Sequence, residues 1–321
     1  MVRAQKPPPA VYKNLCVFIN IDGIYRQFRI ISHIRYSRGK AAYCDGLYKV
    51  FREHCTQLFN HAKVEGSEKD GDLVRIIISP AKKMKTDNDC LPHETLPQFT
   101  AEAETLLRVL QSMDYAALKS LWRCNDSIAS LNYGRLREMD LRRNLTPALL
   151  AYEGIQYQYM APGVFEDRQF VYIKEHLRIL SGFYGVLRPF DGVTPYRLEM
   201  QAKLSVAECK CLYAFWGKKP AQILSAETDV ILNLASKEYS KAVSLHLPKP
   251  VRFLTCTFGE WKEGKVIEKG TLCKMARGEM VRWLAENALT DPDSLIAFDR
   301  LGYTYCKDLS TDNNFVFIKE P

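Results

Sequence analysis

Residues His176–Met200 read HLRILSGFYGVLRPFDGVTPYRLEM, and no uniform helix or strand accommodates them. Gly182 and Gly185 let the backbone turn or approach a partner closely. Pro189 and Pro195 stiffen the following loop and block helix continuation. Arg178, Arg188 and Arg197 add three planar cations suited to phosphate or carboxylate. A stiff, arginine-bearing loop points to a polyanion or an anionic small molecule. The plainer alternative is a structural turn whose arginines pair with nearby acids.

The 321-residue chain holds enough apolar side chains, 47% of the total, to bury a sizeable core. No run of eighteen apolar residues occurs, so no membrane span is expected. The N-terminus lacks a clear cleavage site, which implies no signal peptide and a cytoplasmic location. Ten cysteines are scattered without a C-x-x-C, the pattern of reduced thiols. Cys44, His54, Cys55 and His61 lie near one another, but their spacing fits no zinc site, and neither metal nor cofactor is expected.

Net charge is +8, unevenly spread: residues 1–73 hold 12 basic and 7 acidic side chains, leaving 33 and 30 in the rest. Nucleic-acid binding by residues 74–321 therefore requires clustered cations, because the overall charge is too small.

Residues 1–73 form an N-terminal extension of unknown role. VYKNLCVFINI has strand character, residues 43–64 have helical spacing, and EGSEKDGD at 65–72 reads as a polar linker. Either the extension is a lineage-specific appendage, or translation starts at Val74 and residues 1–73 are an upstream misreading. Beyond it, strands are predicted at Val74–Ile78 and Asp229–Leu234, the latter followed by a short helix through Tyr239. A hairpin is predicted from Val251–Trp261 and Lys265–Ile267 across KEGK, and terminal strands at Leu295–Tyr305 and Asn314–Ile318. Helices are predicted at Thr100–Met113, Asp114–Arg123, Ser127–Met139, Asp167–Leu180, Val206–Phe215 and Thr271–Ala288. Thr146-Pro147 reads as the start of one more helix, stopped by Gly154. The pattern predicts an α+β fold: a single compact domain with a mixed β-sheet core surrounded by helices.

Several other blocks carry chemistry. IIISPAKKM at 76–84 puts Ser79, Lys82 and Lys83 where a first strand ends. Ser79 and Lys82 also spell S-x-x-K, but Pro80 is awkward for the helix that a serine nucleophile of that kind needs, so phosphate binding is the stronger reading. Arg197 and Glu199 are two apart and share one side of an extended segment, as an ion pair or a site pair. Lys274 and Arg277 fall near a helix start, where the dipole does not favour cations. Tyr213 and Trp216 read as core, and Arg135, Arg137, Arg142 and Arg143 as a solvated surface.

The 176–200 stretch, taken with IIISPAKKM, LYAFWG (212–217), VILNLASKEYSKAV (230–243), KMARGEM (274–280) and FDRLGYTY (298–305), resembles the YaaA family of peroxide-stress proteins. The resemblance spans about Val74 to Lys319 and implies a single-domain fold of its own type with a helix-hairpin-helix. Leu177–Leu187 resembles that motif, although its two glycines are one residue further apart than usual. It further implies a cytosolic DNA-binding protein of the oxidative-stress response, contacting duplex or branched DNA with little sequence preference. The implied DNA or phosphate contacts are Ser79, Lys82, Lys83, Arg178, Gly182, Gly185, Arg188, Arg197, Lys274 and Arg277. The competing reading is an enzyme acting on a nucleotide, nucleobase or other phosphorylated small molecule. Tyr184, Glu199, Asn233, Ser236 and Tyr239 would then supply a polar pocket.

Overall fold

The computed structural model describes residues 74–87 and 91–319 in full, together with the backbone of two strands nearer the N-terminus. Those strands, Leu15–Ile21 and Ile24–Ile30, pair antiparallel from Leu15↔Ile30 to Ile21↔Ile24 and belong to a separate unit, Met1–Lys69. The strand expected in VYKNLCVFINI is one of them. The helix expected at 43–64 and the linker at 65–72 lie outside the described residues.

In the second unit an eight-stranded mixed sheet is surrounded by helices. Its strands in chain order are β1 (Arg75–Ile78), β2 (Leu177–Ser181), β3 (Gly185–Leu187), β4 (Val230–Leu234), β5 (Arg252–Lys262), β6 (Lys265–Ile267), β7 (Tyr303–Tyr305) and β8 (Asn314–Lys319). The spatial order is β7-β8-β5-β4-β1-β2-β3, with β6 paired to β5. Strands β8, β5, β4, β1 and β2 run parallel, while β7, β3 and β6 are antiparallel additions. Parallel strands covered on both faces should be apolar throughout, and β1, β2 and β4 are buried at every position.

The order matters for function. From β1 the chain crosses to β2 on one side, then returns to β4 on the other and continues outward to β5 and β8. The gap between β1 and β4 is thus the topological switch point. In sheets of this kind, ligands bind at the carboxyl ends of the strands flanking such a point.

Eight of the helices are α1 (Thr100–Ser112), α2 (Tyr115–Trp122), α3 (Asp126–Arg137), α4 (Asp167–His176), α5 (Leu212–Trp216), α6 (Lys219–Glu227), α7 (Lys237–Ser244) and α8 (Gly270–Asn287). Asp114 and Asn125 cap α2 and α3 by accepting from Ala117 N and Ile128 N. Helices α2 and α3 form a helical hairpin whose turn includes Arg123 in the left-handed region, φ 46°. Helix α8 packs closely on the short helix Ile155–Met160. A Cβ at Gly278 would lie 2.1 Å from the Gln156 carbonyl oxygen, so only glycine permits this approach.

Several expectations are corrected. Leu177–Leu187 is not a helix-hairpin-helix: it is the antiparallel pair β2–β3, with Ser181 opposite Gly185. Helix α4 ends at His176 rather than Leu180, and Leu177 turns extended at φ −87°, ψ 139°. The apolar residues of 177–180 fit a helix face and a buried strand equally well, and pairing with β1 decides the matter. At the turn, Ser181 Oγ accepts from Phe183 N at 3.1 Å and Tyr184 N at 2.8 Å, and Gly185 takes φ +74°. The helix expected over Val206–Phe215 is confined to α5, because a Val206–Cys209 bridge closes a tight turn before it. Thr146-Pro147 forms a two-residue strand against Gly192 and Val193, and the helix after it ends at Ala151. Of Leu295–Tyr305, only Tyr303–Tyr305 is strand; short 3-10 turns precede it.

Candidate functional site

Ser79 follows β1 and Ser236 follows β4, so the switch point brings them together. Ser236 N–H donates to Ser79 Oγ at 2.8 Å, and the two hydroxyls are 3.3 Å apart. Tyr157 O–H donates to the Ser79 carbonyl at 3.1 Å. Within β4, Asn233 accepts from Ala235 N at 3.0 Å and donates to Thr255 Oγ1 at 3.2 Å. These polar groups order the strand ends against each other.

Beside the serines lies a charged cluster. Lys82 Nζ is 2.8 Å from Glu199 Oε2, so this lysine serves Glu199 rather than activating Ser79. Lys83 is held 3.0 Å from Glu153. Glu238, in the first turn of α7, accepts from Gln201 N at 3.2 Å. Burial raises the Glu238 carboxyl above the usual range; hydrogen bonds from Gln201 and Met200 and the charge of Lys82 oppose the shift, while Glu199 adds to it.

The segment that carries Glu199 rests on the β2–β3 turn. A Cβ at Gly182 would sit 2.7 Å from the Leu198 carbonyl oxygen, so glycine is needed there for close approach. The Gly182 carbonyl accepts from Trp216 Nε1 at 3.0 Å, which confirms Trp216 as core. Arg197 and Glu199 line one small cavity of about 40 Å³ with Trp122, Arg123 and Gln201. Arg197 Nε and Trp122 Nε1 are both buried with no acceptor.

The remaining expected residues are distributed as follows. Arg277 lies 3.7 Å from Glu268, which also takes Lys237 at 3.1 Å; Lys274 is exposed one turn earlier. Helix α8 begins at Gly270, which puts both cations beyond the first turn, where the dipole acts most strongly. Tyr239 is buried, and burial pushes its phenol well above the usual range. Tyr184 belongs to the core, its hydroxyl 3.2 Å from Thr194 Oγ1. Gly185 abuts the rings of Trp216 and Phe99. Arg178 and Arg188 lie at the opposite, amino-terminal edge of the parallel strands. There Glu227 receives Arg75 at 2.9 Å and Arg178 at 2.8 Å, and Arg178 and Arg188 line a separate cavity of about 530 Å³. Trp122, Arg123 and Glu238 escaped sequence reasoning. Trp122-Arg123 sits between two helices and Glu238 within the VILNLASKEYSKAV block, the two signals that were available.

Residues 74–309 match the family model described as peroxide stress protein YaaA. The chain belongs to the YaaA family. Among similar YaaA-family relatives are UPF0246 proteins of Desulfitobacterium hafniense strain Y51 and Lachnoclostridium phytofermentans. They are 54% and 53% identical over 246 residues, 77% of this chain and 98% and 96% of theirs. A third, from Pediococcus pentosaceus, is 51% identical over the same length and covered to 98%. The family supports a role in the stress response. Among the described residues of this YaaA-family chain, no three His, Cys, Asp or Glu side chains group as metal ligands, and no helix is long and apolar enough to cross a membrane.

Proposed function

We propose that this chain serves the peroxide stress response by binding DNA through phosphate contacts at the carboxyl edge of its sheet, with little sequence preference. One observation carries this reading. Arg123 and Arg197 line the same cavity and, among the described residues, neither has an acidic partner. By contrast Lys82 and Lys83 are each matched by a glutamate, while Lys237 and Arg277 share Glu268. The unmatched guanidinia stand beside the turn of the α2–α3 hairpin and offer a planar fork to a phosphate. Phosphate contacts position a protein on a duplex without reading its sequence. The test is the salt dependence of binding to two unrelated duplexes, in the native chain and in Arg197→Gln.

A second reading is favoured by the carboxylates. Glu199 pairs with Lys82 and lines the cavity of Arg197, and the charges of both Glu199 and Lys82 act on Glu238. An enzyme acting on a nucleotide, nucleobase or other phosphorylated small molecule uses such an arrangement with the arginine as anion clamp and Glu199 as hydrogen-bond acceptor or general base. A protein that only binds DNA has no need of two acids there.

A further inference from the structure

Buried polar groups are almost always paired, so a donor without an acceptor needs an explanation. Trp122 is 4% exposed and its indole N–H has none; Arg197 Nε, also buried, has none. Both side chains line one cavity, with Arg123 and Glu199. Neither an indole N–H nor a guanidinium can accept a hydrogen bond, so whatever satisfies them must present acceptor atoms. The only carboxylate lining the cavity among the described residues is held by Lys82 at 2.8 Å, which leaves the two guanidinia as local charge excess. The cavity, about 40 Å³, has room for more than the roughly 10–15 Å³ that a single water fills.

We infer that this cavity is a seat for a single phosphate group, held by the Trp122 indole N–H and the guanidinia of Arg197 and Arg123. The inference deepens the phosphate-binding reading above by naming where one phosphate sits. Its occupant is either a DNA phosphate or the phosphate of a free small molecule, since both present the same oxygens. Trp122 supplies a rigid neutral donor and Arg197 a charged one, a combination that favours a dianion or phosphodiester over chloride. Glu199, paired with Lys82, lines the seat, and Arg123 at the turn is exposed.

The test follows indole N–H signals of the full chain by two-dimensional ¹H–¹⁵N NMR. The chain has four tryptophans, and Trp122→Phe identifies the Trp122 signal by its disappearance. Inorganic phosphate is titrated at constant ionic strength, with chloride as the balancing salt. The expected result is a saturable shift of the Trp122 signal, with Arg197→Gln weakening phosphate binding by about tenfold or more. Arg123→Gln, at an exposed position, serves if Arg197→Gln does not fold, and is expected to weaken binding in the same direction. A short duplex is then added in place of phosphate. Movement of the Trp122 signal by both supports the seat with DNA as occupant. Movement by phosphate alone supports the seat with a free phosphorylated molecule as occupant, and counts against DNA binding there. No shift with phosphate, or a shift equally strong in both arginine variants, overturns the seat and leaves ordered water as the partner of these donors.

Discussion

The Lys82 ammonium lies 2.8 Å from the Glu199 carboxylate, joining the segment after β1 to the extended segment after Pro195. The lysine side chain is 65% exposed, so solvent screens the pair and its contribution to stability is below about 1 kcal/mol. Glu199→Gln is therefore expected to fold normally, within about 1 kcal/mol of the native chain in denaturant unfolding. DNA affinity should stay the same or rise slightly, because a carboxylate repels phosphate. If the site is catalytic, peroxide protection in cells should disappear while the fold persists. A fully protective variant removes Glu199 from any catalytic role.

Gly182 and Gly134 predict opposite outcomes for the same substitution. Alanine at Gly182 drives its Cβ against the Leu198 carbonyl and must displace the Arg197–Glu199 segment. The expected cost is about 1–3 kcal/mol, with weaker phosphate and DNA binding. Alanine at Gly134, mid-α3, meets nothing within 4 Å and should stabilise the fold by up to about 1 kcal/mol. Thermal unfolding of both variants checks the pair; destabilisation by Gly134→Ala would contradict the packing described for α3.

Arg178 is a structural group in this account. It shares Glu227 with Arg75 at the amino-terminal edge, away from Ser79 and Arg197. Removing it leaves Glu227 to Arg75 alone and takes a donor from the carbonyls of Lys174, Glu175 and Leu177. Arg178→Met should cost about 1–3 kcal/mol in unfolding experiments. DNA affinity measured on the folded fraction should be unchanged, and a loss of binding with intact stability would return Arg178 to the binding surface.

Stability should also depend on pH through His176. Its Nδ1 is 2.8 Å from the Val74 carbonyl, and burial holds its ionisation below the ordinary value of 6.5. The unfolded chain then binds a proton that the native chain refuses. Stability from this group is present above about pH 6.5 and is lost as pH falls toward the native value, at most about 1.4 kcal/mol per unit of depression. Unfolding midpoints between neutral and mildly acidic pH should fall, and His176→Asn should flatten that part of the profile. A native profile without the fall would show that His176 is not held neutral.

Much of the fold was legible because local chemistry agrees with tertiary context. Ile76–Ile78 is a short β-branched run that suits a central parallel strand, and KEGK marks the β5–β6 hairpin with Gly264 at φ +77°. The failure at Leu177 has a definite cause: the apolar positions of α4 continue in helical register into β2, and only pairing with Ile76 through Ile78 breaks it. The site was readable by residue type and not by place. Arg178 and Arg197 look alike in sequence, yet Glu227 buries one and no acid meets the other. Trp122 and Arg123 could not be assigned to Arg197 from sequence, since some 75 residues of chain separate them and nothing local links the α2–α3 turn to Pro195.

The central claim is phosphate-driven binding at the edge where Arg123 and Arg197 stand unmatched. The most direct measurement is affinity for two unrelated duplexes of equal length between about 50 and 200 mM salt, for the native chain and for Arg197→Gln. The account predicts a steep loss of affinity with salt, the same for both duplexes, and a slope shallower by about one in Arg197→Gln. A flat salt response, a preference of about tenfold for one duplex, or an unchanged slope in Arg197→Gln would contradict it.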